Sequence, residues 1–285
     1  MSDAAGESRP NRLVAGITAV GRAGLNLRRY IGNDIRYVGG IGYLAWDTIV
    51  WVARGLFVRG TKLGASALAS QMVRVGVRSI PIIVLVQTFI GIILALQLAP
   101  TLKQYGSLER IANIVGIAMF RELGPLLSAV VLSGFAGASI AAEIGAMVEA
   151  EEIKALRAHA LNPIRFLAVP RLLATVVMLV GLTVIADVVG VMGGMLTSWG
   201  VLDIRPTVYI ENTRLALFYK DFFTGLVKAG VFGMLISMIA CYEGFNVRGG
   251  AEGVGRATTA TVVKSIVALI ATDCVFTAIF YLFEI

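Results

Sequence analysis

The sequence predicts an all-α integral membrane protein, and two observations carry that prediction. Its 285 residues are 57% hydrophobic and 15% charged, with a mean hydropathy of +0.82, whereas soluble chains are about a quarter charged. Uncharged apolar runs long enough to cross a bilayer as a helix, about 20 residues, recur along it, with Ser79 to Thr101 the cleanest. The formal net charge of +7 does not point to nucleic acid, because no stretch is polar and long enough to form a solvated basic domain. Anionic lipid headgroups suit those charges better. Cys241 and Cys274 lie in apolar segments without a CxxC pair, and His159 is the single histidine, so neither a disulfide framework nor a zinc site is expected.

Residues 1–30 read as a polar, flexible N-terminus, and no apolar core with a cleavage site follows the first dozen residues, so no signal peptide is expected. Residues 31–78 mix glycine, arginine and aromatics. Arg36, Arg54, Arg59 and Lys62 interrupt this region too often for a span, while Trp46, Trp51 and Phe57 suit the headgroup zone. The expectation is an interfacial amphipathic helix lying on the membrane. The alternative is a soluble-type helix packed on the bundle.

Residues 79–285 then carry five transmembrane helices, at about 79–100, 111–148, 163–201, 222–242 and 259–283. The second and third exceed one crossing, and Pro125 and Pro170 offer kink sites. Gly134 and Gly137, and the GxxxG pair Gly190 and Gly194, suit close helix packing. A short extracytoplasmic helix is expected between spans 3 and 4. With a cytoplasmic N-terminus, the inside segments hold 17 Lys and Arg and the outside segments 5. That asymmetry places the C-terminus outside.

Between spans 2 and 3 lies "EAEEIKALRAHALNPIRF", seven ionisable side chains in a short helix-like segment. Ile153, Leu156 and Ala160 share one face of a helix over 149–161, Glu151 and Lys154 are spaced for an i,i+3 pair, and Asn162-Pro163 ends it. Read from the residues alone, this is either a solvated connector or a docking helix whose apolar stripe enters a partner's groove.

The block from Arg121 to Arg171, "RELGPLLSAVVLSGFAGASIAAEIGAMVEAEEIKALRAHALNPIRFLAVPR", resembles the permease subunits of the MlaE/YrbE family of ABC transporters, which pair with MCE-domain proteins. The REL-GP start, the AEIG at Ala142 to Gly145, the EE-I-ALR core and the NP…PR ending carry the likeness, and "GVGRATTATVV" at Gly253 to Val263 matches the family's last cytoplasmic loop. Phe135, where arginine is frequent, and Ala158-His159-Ala160 depart from the pattern. The resemblance implies an ATP-driven transporter moving phospholipid or a similar lipid between the bacterial inner membrane and an MCE-domain protein. It implies a homodimer of this chain and a cytoplasmic ABC ATPase that docks on a coupling helix comprising Glu151, Glu152, Ile153, Ala155, Leu156 and Arg157. A small regulatory subunit is left open. ATP and Mg belong to the ATPase. This chain has no Gly-Lys dipeptide and hence no phosphate loop, and it is expected to hold no cofactor and to catalyse nothing itself. Plastid relatives exist in the family, but no transit peptide is visible.

Arg121, Glu122, Glu143, Asp187, Lys228 and Asp273 interrupt the spans. An unpaired charge at the bilayer centre costs about 2.5 kcal/mol or more, so these must pair or face water. Structural pairing of Arg121 with Glu122 or Glu143 is expected, whereas Lys228 and Asp273 suit a lipid headgroup. Thr88, Ile92, Ala95, Leu96 and Ala99 form one helical stripe that, in the resemblance, lines the lipid pocket together with Ile117.

Three other classes compete, one of them a purely structural scaffold, which would need no lipid cavity and would carry no bound lipid. An intramembrane serine protease built on Ser133 would need a base, and His159 lies in the coupling segment. An ion-coupled secondary transporter of a hydrophobic substrate would draw on the intramembrane acids, but it usually carries two related halves, and none is visible.

Overall fold

The computed structural model describes residues 35–54 and 65–283. The expected polar N-terminus and the stretch around Arg59 and Lys62 lie outside the described residues. The chain divides into two compact units, Met1–Leu44 and Ala45–Ile285. Described residues of the first unit are helical, within a helix (α1) over 35–54.

The second unit holds five helical segments long and apolar enough to cross a membrane: Ser66–Gln104, Leu108–Glu149, Ile164–Leu202, Tyr219–Phe245 and Gly250–Leu282. No strand occurs among the described residues. The first segment comprises α2 (Ala65–Val75) and α3 (Ile80–Gln104), joined by a 3₁₀ turn at Val77–Ser79. It therefore begins well before the expected residue 79, and Arg74 and Arg78 ride on it.

The second segment is not one α-helix. It runs as α4 (Ile111–Ala118), a π turn at Met119–Leu123, α5 (Gly124–Leu132), a second π turn at Ser133–Gly137 and α6 (Ala138–Glu149). A third π turn, Ile164–Ala168, opens α8 (Val169–Leu202). Two of the three stand immediately before Pro125 and Pro170. Proline has no N–H to donate and its ring crowds the carbonyl four residues back, so the wider turn absorbs the mismatch without breaking the rod. Between these rods lie the short α7 (Glu152–Ala158) and α9 (Pro206–Ala216), followed by α10 (Tyr219–Phe245) and α11 (Gly250–Leu282).

Helix α8 is the hub, packing most extensively on α3, then on α10, and also against α2 and α5. Its glycines explain the contact with α3. A Cβ on Gly91 would stand 1.9 Å from the Gly190 carbonyl oxygen, and one on Gly193 would stand 2.4 Å from the Thr88 carbonyl oxygen. The two backbones touch, as small-residue packing requires. Gly134 faces open space and plays no such part. Tyr209 of α9 is buried, and burial pushes its phenol pKa up. It wedges α9 against Ala95, Ala99, Ile111, Ala112, Val115 and Met119 in an apolar core. By contrast α11 leaves Val263, Val267, Ile270 and Val275 exposed along its length.

Candidate functional site

The π turn at Met119–Leu123 sets two successive charged side chains, Arg121 and Glu122, against the first turns of α10 and the last turns of α11. Arg121 Nε lies 3.1 Å from Asp221 Oδ1. Asp221 also caps α10, its Oδ2 accepting the Phe218 N–H at 2.9 Å. Two turns deeper, the buried Lys228 Nζ donates to Glu122 Oε2. The same ammonium lies 2.9 Å from Asp273 Oδ1, off the hydrogen-bonding direction, so that contact is ionic. Lys228 also donates to Thr277 Oγ1 at 3.1 Å, and Thr277 in turn donates to Glu122 Oε1 at 3.1 Å. One lysine thus holds two carboxylates from different helices, with a hydroxyl bridging it to one of them.

These groups floor an open cleft of about 770 Å³ whose rim carries Phe218, Phe280, Tyr281 and Leu282. Arg121, Lys220 and Lys228 line it against Glu122 and Asp221, and Asp273, paired with Lys228 behind the lining, brings cations and anions into balance. A charged but neutral floor beneath an aromatic and aliphatic rim fits an amphipathic molecule with a dipolar head.

The sequence expectations fare unevenly here. Lys228 and Glu122 do line the cleft, with Asp273 beneath them, but the expected pairing of Arg121 with Glu122 or Glu143 is corrected. Arg121 is bound by Asp221 and Glu122 by Lys228. Glu143 lies six residues from the end of α6, where Arg74 Nη1 at 2.7 Å and Arg171 Nη2 at 2.9 Å hold it. Neighbours in sequence on a helix point apart, so Arg121 and Glu122 meet α10 two turns apart, at Asp221 and Lys228, and Glu122 also reaches Thr277 of α11. Asp187 is buried against Gly124, where a Cβ would strike its Oδ1 at 1.7 Å, and that oxygen has no hydrogen-bond partner among the described residues.

The apolar stripe is also redistributed. None of Thr88, Ile92, Ala95, Leu96, Ala99 and Ile117 lines this cleft. Ala95 and Ala99 are buried in the core beneath Tyr209, Thr88 turns its hydroxyl to the Val84 carbonyl at 2.7 Å, and Leu96 faces outward. Helical periodicity grouped residues that the fold sends to the core, to their own backbone and to the outer surface.

The charged segment between spans 2 and 3 folds as α7. Glu151 begins it with a left-handed backbone (φ 59°), and Ala160 closes it in the same region (φ 57°). Asn162 Oδ1 then accepts the Ile164 N–H at 2.9 Å to start the next rod. Lys154 Nζ pairs with Glu151 at 2.6 Å, which holds the Glu151 carboxyl below the ordinary 4.5. The apolar stripe does not face outward as a unit, since Ile153 is buried in its own chain while Leu156 is half-buried. Glu152, Ala155 and Arg157 form the exposed face. The hydroxyl of Ser133 is committed to the Val130 carbonyl at 2.7 Å within its own helix.

Missed from sequence were Asp221, Thr277 and Arg74. Asp221 carried one legible signal, an acid in the first turn of a helix. Thr277 carried none, being an ordinary polar residue of a membrane helix.

Five membrane-length helices, ion pairs within them and an amphipathic cleft are those of a multi-pass membrane protein. The chain belongs to the Permease MlaE family, whose model matches residues 68–279. It is 36% identical over 258 residues to a probable ABC transporter permease protein of Rickettsia felis, covering 90% of this chain and 98% of that one. A probable ABC transporter permease protein of Synechocystis is 37% identical over 199 residues, or 70% and 76% of the two chains. Protein TRIGALACTOSYLDIACYLGLYCEROL 1, chloroplastic, of Arabidopsis thaliana is 33% identical over 211 residues, or 74% and 60%. As an ABC permease, the chain implies a separate ATPase subunit.

Proposed function

We propose that this permease moves phospholipid or a similar lipid, taking the headgroup at the Lys228 cleft. The observation that carries the reading is the cleft itself, a balanced ionic floor under an apolar rim. The name of the Arabidopsis relative contains trigalactosyldiacylglycerol, a glycerolipid, which supports the same substrate class. Two copies of the chain bring their clefts together as a homodimer in the bacterial inner membrane, N-terminus inside and C-terminus outside. In that orientation the cleft opens on the extracytoplasmic side, where an MCE-domain protein exchanges lipid with it. A small regulatory subunit on the ATPase is compatible with this arrangement. ATP and Mg sit on the cytoplasmic ATPase, which grips α7 through Glu152, Ala155 and Arg157, with Ile153 anchoring the helix to its own bundle. In this chain ATP has no site and only mechanical work is done.

The test is co-purification of the chain with the ATPase encoded beside it, wild type against Ala155→Asp/Arg157→Glu, with mass spectrometry of bound lipid. Both changed positions are exposed, so the bundle keeps its fold. Loss of the ATPase with lipid retained supports the reading. An unchanged ATPase complex removes α7 from the coupling role. Uptake driven by an ion gradient without the ATPase would instead favour a secondary transporter.

A further inference from the structure

A second ionic locus lies at the other end of the bundle, and its charges do not balance. Glu143 and Glu122 are separated by 21 residues of one helical segment, about 30 Å at 1.5 Å per residue, which places them near opposite faces of a bilayer. At this locus the Glu143 carboxylate already faces the buried Arg171 at 2.9 Å. Arg74, from α2, shares the same carboxylate at 2.7 Å. A third guanidinium, Arg78, is exposed and has no ion-pair or hydrogen-bond partner among the described residues. Three cations thus meet one anion.

Arg74, Arg78 and Glu143 line one small cavity of about 150 Å³ between α2 and α6, together with Ser139, Gln71 and the exposed ring of Phe135, while Arg171 offsets the Glu143 charge from behind the lining. Arg78 stands immediately before Ser79, where the uncharged apolar run begins, so the cavity mouth lies at the level where lipid phosphates sit. Arginine forks match phosphate oxygens in pairs, and the Ser139 hydroxyl adds a donor.

We infer that this cavity binds the headgroup phosphate of an anionic phospholipid, as a site separate from the cleft. The excess of positive charge selects a lipid of net negative charge, and Phe135 offers a contact for its glycerol and upper acyl segment. The inference rests on the apolar run that follows Arg78, within Ser66–Gln104, crossing the membrane and not on transport.

The full chain, purified in detergent, is presented with an equimolar mixture of phosphatidylglycerol and phosphatidylcholine of identical acyl chains, and bound lipids are counted by native mass spectrometry. Wild type is expected to prefer phosphatidylglycerol. Arg78→Gln should lower that preference about tenfold, the equivalent of one charge-assisted contact of about 1.4 kcal/mol, while Arg78→Lys keeps part of it. Lys103→Gln, which removes an exposed cation at the far end of α3 that lines neither cavity, should leave the preference intact. An Arg78→Gln variant with wild-type preference overturns the inference, as does a preference lost equally in Lys103→Gln. If inorganic phosphate at the lipid's concentration strips the bound phosphatidylglycerol, the site takes free anions and the lipid assignment falls. Since nothing here measures transport, failure of the transport reading would leave this result standing.

Discussion

The two ionic clusters of this membrane bundle are mirror images in stoichiometry. At the cleft one cation, Lys228, serves two carboxylates, Glu122 and Asp273. At the far end one carboxylate, Glu143, serves two guanidinium groups, Arg74 and Arg171. In each cluster the unpaired kind of charge is the keystone and the duplicated kind is partly redundant. Burial sharpens this, because Lys228 and Arg171 are both nearly sealed from solvent while Glu122 and Arg74 reach it. A buried charge is tolerable in a membrane only while its partner stays in place.

The asymmetry is testable by deleting keystones first. Lys228→Leu strands two carboxylates in the bundle and should cost about 3 kcal/mol of stability, the low end for a broken buried pair because Glu122 is about one-third exposed. Thermal unfolding of the detergent-solubilised protein would read it as a clear fall in Tm. Glu143→Gln leaves Arg171 buried without a counter-charge, and about 3 kcal/mol is again expected. If either change were silent, the keystone picture would be wrong for that cluster.

Removing a duplicated charge should be mild. Asp273→Asn leaves Lys228 with Glu122, and Arg74→Gln leaves Glu143 with Arg171, so each should cost about 1 kcal/mol or less. A loss as large as the keystone variants show would mean that the two copies of the charge act as a unit. Gly91→Leu provides a control that touches neither cluster. Its side chain would run into the Gly190 backbone, so overpacking should destabilise by about 1–3 kcal/mol.

The smallest effect belongs to α7. Lys154 holds the Glu151 carboxyl below 4.5 in the folded chain. A depressed acid stabilises fully above its unfolded value, and that contribution fades as pH falls through the folded one. Lys154→Ala should therefore bring the Glu151 titration back toward 4.5, readable by carbon-13 NMR of the labelled side chain, and α7 should lose this support only in acid below that value. A titration midpoint that ignores Lys154→Ala would show that the pair does not form in solution.

Much of the architecture was legible in the sequence because a bilayer imposes one-dimensional rules. A run such as Ser79 to Thr101 can only satisfy its backbone as a helix, so the five spans followed from hydropathy and length. The segment Glu149 to Phe166 stood out by charge alone, and "EEIKALR" within the Arg121–Arg171 block marked the permease family. What resisted was everything that depends on how the helices are rotated. Ala95 and Leu96 differ by one residue, yet the first is buried beneath Tyr209 and the second faces outward.

Composition, span length and the position of the charged connector were determined by the sequence itself, since they depend on the cost of placing each segment in hydrocarbon or water. The partners of Arg121, Glu122, Glu143 and Lys228 were decided only by the tertiary structure. Those pairings cross from helix to helix, and their angular register is reset by π turns ahead of Pro125 and Pro170. No reading of periodicity along a single helix carries that information, because the side chain that completes each pair comes from another helix, at least 28 residues away.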